Sequence, residues 1–191
     1  MYVNLQHLYE NMDKDLDKKL RPLMGKNKTI VHGEGPEKAS LMLIGEAPGR
    51  DEDELGQPFC GRCGDLLTKM LLDSGIDRSK VFITNVVKCR PTSTDGQKNR
   101  PPHSQEIKIC KNWLWEEIKL IKPTAIMTLG KVPSCLLLNT KAQMKDLVGR
   151  THQLSFCNIV IPNYHPSFIM VYGKEYLEAS VSIFKMVTKY V

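Results

Sequence analysis

The chain has 191 residues, 41% hydrophobic and 25% charged, ordinary globular usage that excludes a disordered or collagen-like polymer. Lys and Arg total 27 against 21 Asp and Glu, and the resulting +6 charge permits an anionic partner such as nucleic acid. No apolar run approaches the ~20 residues of a membrane span, and Met1-Tyr2-Val3-Asn4-Leu5-Gln6 opens with no basic stretch before an apolar one. The expectation is a single domain over residues 1–191, with no membrane and an intracellular setting. That setting is cytoplasmic, or the nucleus or a virus-infected cell if the chain has such an origin.

In chain order, Leu5, Leu8, Met12, Leu16, Leu20 and Leu23 recur at helical spacing and predict a helix over 3–24. Residues 40–45 read as a buried strand, followed by a loop from Gly45 to Gly56. A helix over 64–73 and a strand over 81–87 come next. A polar loop from Lys88 to Pro102 leads to a helix over 104–121, ended by Pro123. A third strand covers 125–129, a short helix 132–138, a fourth strand 159–161, and a closing helix 174–190. Strands alternating with helices predict a parallel sheet covered on both faces. Ligands of such sheets bind beyond the carboxyl ends of the strands, here at 45–62, 85–100, 130 and 162–168.

The first exit, Gly45-Glu46-Ala47-Pro48-Gly49-Arg50-Asp51-Glu52-Asp53-Glu54, places five acids in a basic protein. It is either a solvated acidic loop or a place where backbone amides approach a ligand. No Gly-Lys-Ser/Thr follows, so it is not a P-loop. In Gly56-Gln57-Pro58-Phe59-Cys60-Gly61-Arg62-Cys63-Gly64, Phe59 fits core packing or stacking on a flat ligand. Asn85, at the second exit, makes a turn or pairs with a nucleobase edge through its acceptor and two donors. Lys88, Arg90, Lys98 and Arg100 form either a solvated basic loop or a phosphate contact. At the fourth exit, His165 is suited to donate to an oxyanion and Ser167 to hold a phosphate oxygen.

Taken together and in order, GEAPGRDED, GQPFCGRCGDLL, VFITNVVKCRP with NRPP, and HPS resemble the family 4 uracil-DNA glycosylases over about residues 30–170. The resemblance implies a three-layer α/β/α sandwich on a central four-stranded parallel sheet. It implies removal of uracil from DNA by hydrolysis of the N-glycosidic bond, leaving an abasic site, by a monomer. It implies that Phe59 stacks on the flipped uracil and Asn85 reads its N3–H and O4. His165 would stabilise charge at O2, and Glu46 and Ala47 would lie where water is positioned. Glu52 and Asp53 join the substrate-binding set, since carboxylates suit a cationic sugar. Arg62, Arg90, Pro166, Ser167 and Met170 are the implied DNA contacts, Met170 within the apolar wedge Phe168-Ile169-Met170-Val171.

The chain departs from the family pattern in three places. Faster members of the superfamily carry an Asp where Ala47 stands. The wedge lacks the usual Arg. Family 4 members hold an iron–sulfur cluster on four cysteines; Cys89 and Cys110 match two, but Lys18 and Arg21 occupy the places of the N-terminal pair. Cys60 and Cys63 are candidate substitutes, although they align with the segment after Phe59. The expectation is therefore no cofactor, with a 4Fe-4S cluster as the alternative. Two rival functions remain: a catalytically weak or inactive glycosylase-fold DNA-binding or replication accessory protein, and a nucleotide-binding protein using the Gly45 loop.

Overall fold

The computed structural model describes residues 2–24, 28–155 and 157–191. Its helices, among the described residues, are α1 (Leu5–Lys19), α2 (Arg21–Met24), α3 (Arg50–Leu55), α4 (Gly61–Asp73), α5 (Ser104–Ile121), α6 (Lys131–Leu137), α7 (Met144–Leu147), α8 (Pro166–Tyr172) and α9 (Lys174–Lys185). The strands are β1 (Leu41–Gly45), β2 (Val81–Asn85), β3 (Ala125–Leu129), β4 (His152–Leu154) and β5 (Cys157–Asn163), in sheet order β2-β1-β3-β5-β4.

The four expected strands form the parallel part of the sheet, and β4 adds an antiparallel fifth strand at the edge. Three residues of half-exposed alternation are too short a pattern to mark β4 in sequence. All five residues of β1, β2 and β3 are buried, as a sheet covered on both faces requires. Alternate residues feed two cores. Met42, Ile44, Phe82, Ile126 and Val160 pack with α1, α5 and α6. Leu41, Leu43, Ile83, Met127 and Ile161 pack with α4, α8 and α9. The layers are thus helix, sheet, helix.

Other differences from the expected elements have local causes. The helix expected over 3–24 breaks at Leu20, because Pro22 has no N–H to continue the ladder. The acidic loop after β1 contains α3: Gly49 N–H donates to Glu52 Oε2 at 2.6 Å, and Asp51, Glu52 and Asp53 fill the first turn. Acids there are stabilised by the positive end of the helix dipole. The His165-Pro166-Ser167 motif starts α8, with Pro166 in the first turn and His165 as the cap.

Candidate active site

Strand register assembles the site. Gly45 lies opposite Asn85 across β1 and β2, and Leu129 opposite Asn163 across β3 and β5. The chain leaving β3 at Gly130 therefore meets the chain leaving β5: a Cβ on Gly130 would stand 3.2 Å from that of His165. At the other pair, a Cβ on Gly45 would fall 2.3 Å from Asn85 Oδ1 and 2.5 Å from Phe59 Cζ. Glycine at 45 lets the amide and the ring approach the same backbone.

Above this line opens a cavity of about 550 Å³. Glu46, Ala47, Glu52, Phe59, His165 and Ser167, all expected at the site, line it. Phe59 is buried, with its ring centroid 5.7 Å from that of His165. Asn85 is not among the residues lining the cavity; it is buried next to the Phe59 ring at Gly45, with Oδ1 lacking a hydrogen-bond partner within the folded chain. Leaving such an acceptor unpaired costs about 1–3 kcal/mol, so the atom is poised for a donor that the folded chain does not supply.

Burial pushes the half-buried Glu46 carboxyl above its ordinary pKa. It also lowers His165 to about 4. Ser167 N–H donates to His165 Nδ1 at 3.2 Å, and Ser167 Oγ lies 2.8 Å from the same nitrogen. An Nδ1 that accepts a backbone N–H leaves the single proton of a neutral ring on Nε2. The cavity can therefore offer a neutral N–H donor and two carboxyls beside an aromatic ring, with an unpaired amide oxygen buried next to that ring.

Several expected contacts lie elsewhere. Asp53 turns away from the cavity to Lys28 Nζ (3.1 Å) and Thr29 N–H (2.9 Å). Arg90 is buried: its Nε donates to Asn99 Oδ1 and its NH2 to the Gln97 carbonyl, bracing the loop after β2. Lys88 is fully enclosed against Glu117 and Thr84, each at 2.7 Å. Arg100 pairs with Glu106. Two of the four cations expected to meet phosphate, Lys88 and Arg90, are thus spent inside the fold, whereas Arg100 is partly exposed and lines the cavity and Lys98 stays exposed. Arg62 is exposed in the first turn of α4, outside the cavity lining. Pro166 is buried, and Met170 is exposed with Sδ 3.9 Å from Cys63 Sγ.

The cavity also has residues that the sequence reading passed over. Lys131 and Lys145, both exposed, stand on its rim, with Tyr164, Phe168 and Tyr176 beside them. Lys131 was signalled only by its place after the third strand exit. Lys145 belongs to α7, a helix too short to show periodicity.

The cysteines are not gathered into one four-thiolate site among the described residues. Cys89 and Cys110 are buried in the apolar core with Leu16, Leu20 and Met24, and burial pushes the Cys110 thiol up to about 11. The crevice between Leu16, Met24, Ile30 and Cys89 is closed to water. Cys60 and Cys63 lie at the start of α4, beside Phe59. Lys18 is exposed, and the side chain of Arg21 lies outside the described residues. Among the described residues no three His, Cys, Asp or Glu side chains gather as metal ligands.

Comparison with known proteins supplies an independent line. The family model of the uracil DNA glycosylase superfamily matches residues 32–186. A type-4 uracil-DNA glycosylase of Pyrobaculum aerophilum is 37% identical over 175 residues, covering 88% of this chain and 85% of the relative. One from Archaeoglobus fulgidus is 35% identical over 189 residues, 91% and 92% of the two chains. One from Thermotoga maritima is 37% identical over 150 residues, 78% and 76%.

Proposed function

The chain belongs to the uracil DNA glycosylase superfamily, and on that premise we propose how its own residues carry out the family's reaction. It is a uracil-DNA glycosylase, a hydrolase of the N-glycosyl bond that acts in base excision repair. The reading takes residues 1–191 as one domain, acting as a monomer on uracil-containing DNA inside the cell. No helix among the described residues is long and apolar enough to cross a membrane.

A base in a duplex must leave the stack before its sugar bond can be attacked. In this reading uracil enters the cavity and stacks on Phe59. Asn85 Nδ2 donates to O4 while Oδ1 accepts from N3–H, which cytosine lacks. As the C1′–N1 bond breaks, its electron pair leaves with uracil and negative charge grows on O2. His165 Nε2–H donates there, a preorganised neutral donor in a site partly shut to water. Water adds to the cationic C1′, with Glu46 orienting it and accepting its proton, and Glu52 adds negative charge nearby. Ala47 supplies no carboxylate. Ser167, Lys131 and Lys145 face the backbone phosphates, and Met170 fills the gap left in the stack.

The observation that carries this reading is the unpaired Asn85 Oδ1 held beside Phe59 at Gly45. A DNA-binding scaffold without chemistry has no use for a buried, unsatisfied base-reading acceptor. In this reading the enzyme works without a cluster.

The deciding assay incubates the protein with a uracil-containing oligonucleotide and then treats it with alkali. The expected result is strand cleavage at uracil only after alkali, with release of free uracil. Scission before alkali would refute simple hydrolysis. DNA binding without uracil release would instead favour the accessory protein.

A further inference from the structure

Phe59 has a backbone φ of +51°, in the left-handed region that a bulky side chain adopts only when its surroundings impose it. Two neighbours impose it here. Gly64 leaves room for the turned peptide, since a Cβ there would crowd the Phe59 carbonyl oxygen. The Phe59 carbonyl accepts from Arg78 NH2 at 2.9 Å.

Arg78 lies outside every motif described above, in a short 3-10 turn between α4 and β2. Its guanidinium also donates to the carbonyls of Pro58 and Gly64, each at 3.3 Å, and to Thr68 Oγ1 at 3.0 Å. All four acceptors are neutral oxygens on the Phe59 loop and α4. The planar fork suits this task, because it spans several carbonyls in a fixed geometry that an ammonium cannot copy. Arg78 does not line the cavity, so its reach into the site is through Phe59 alone.

We propose that Arg78 is a positioning residue for base recognition. It clamps the 58–59 peptide in the left-handed conformation and so aims the Phe59 ring at the flipped base, without touching base or DNA. The inference rests on the reading of Phe59 as the stacking surface for uracil.

A double-mutant cycle tests it, using wild type, Arg78→Met, Phe59→Ala and the double variant. The readouts are kcat/KM on a uracil oligonucleotide, inhibition by free uracil, affinity for abasic-site DNA, and the thermal midpoint. Phe59→Ala should lower kcat/KM. Arg78→Met should lower it about tenfold, the worth of one charged hydrogen bond, and weaken inhibition by free uracil by a similar factor. Affinity for abasic DNA should stay within about twofold, and the double variant should match Phe59→Ala within about twofold. Should Arg78→Met fail to fold, Arg78→Lys enters the same cycle, with the same non-additivity expected. Losses that multiply with Phe59→Ala, or an equal loss of abasic-DNA affinity, would reduce Arg78 to a general brace and overturn the inference. A silent Phe59→Ala would instead overturn the stacking role itself, and the inference with it.

Discussion

Asn85 and His165 sit in the site with opposite polar accounts. Asn85 Oδ1 is buried without a partner, whereas His165 has its Nδ1 filled by Ser167. The first arrangement costs stability until a ligand arrives, so Asn85→Ala should fold with an unchanged or raised thermal midpoint. It should also lose about 1–3 kcal/mol of base discrimination, roughly five- to 150-fold in uracil excision. Asn85→Asp should shift preference toward cytosine, whose N4 needs an acceptor. Excision by Asn85→Ala within twofold of wild type would make Asn85 a turn residue. The pH profile tests the ionisable pair. A free imidazole titrates at about pH 6–7, but His165 stays neutral down to about 4, so activity should show no inflection there from His165. Burial raises the Glu46 pKa, so the water-accepting carboxylate is lost as pH falls through a value above the ordinary glutamate pKa. The acid limb of kcat should lie there and vanish in Glu46→Gln, with residual activity. Residue types named Phe59, Asn85 and His165 as candidates in the sequence; strand register is what brings Phe59 and His165 to one cavity and Asn85 against Phe59. Arg90 shows the limit of such reading. Its charge was legible, but its burial against Asn99 and Gln97 was not, because loop partners nine and seven residues away leave no periodic trace.

The elements that carried strong periodicity, such as α5 and β3, were legible to within a residue. Those that position the site were not. α3 hides in a segment rich in Gly, Pro and acid, and α8 in a histidine-proline turn, because each is set by capping rather than by an apolar stripe. Finding α3 changes what the acids do. Arg50 pairs with Glu54 and Asp53 with Lys28, and Asp51 packs against Gly61, so Glu46 and Glu52 are the carboxylates left at the cavity. On the proposed reading, Lys131 and Lys145 at the starts of α6 and α7 meet the phosphates. Each phosphate contact adds about 0.9 to the slope of log K against log salt. Lys131→Ala and Lys145→Ala should each flatten that slope by nearly this amount without changing the base removed. Arg90→Ala should leave the slope unchanged while lowering the thermal midpoint. A slope insensitive to both lysines, measured by equilibrium binding across a salt series, would place the backbone on another face.

At the scale of the whole molecule, the question is what holds α1 to the sheet. Leu8, Met12, Leu16 and Leu20 are buried, the last three in one core with α5 and Cys89. The Tyr9 hydroxyl lies 3.1 Å from the Gly33 carbonyl and 3.2 Å from Glu117 Oε1, tying α1 to the enclosed Lys88–Glu117 pair. Trp113 Nε1 donates to Asp15 at 3.1 Å from the other side of the helix. Each buried leucine contributes about 1.5–3 kcal/mol, so four apolar anchors and two polar ties supply a tether comparable to what a metal site would give. On the proposed cluster-free reading, the two thiols at this junction serve as packing groups of the core. Cys89→Ala and Cys110→Ala should each cost about 1 kcal/mol or less and leave excision intact, whereas Leu16→Ala should cost about 2–5 kcal/mol. Protein purified without oxygen should be colourless, and a chelator should shift neither its thermal midpoint nor its activity. About four irons per chain, lost together with activity in Cys89→Ala, would show that metal and not leucine fastens α1 to the sheet.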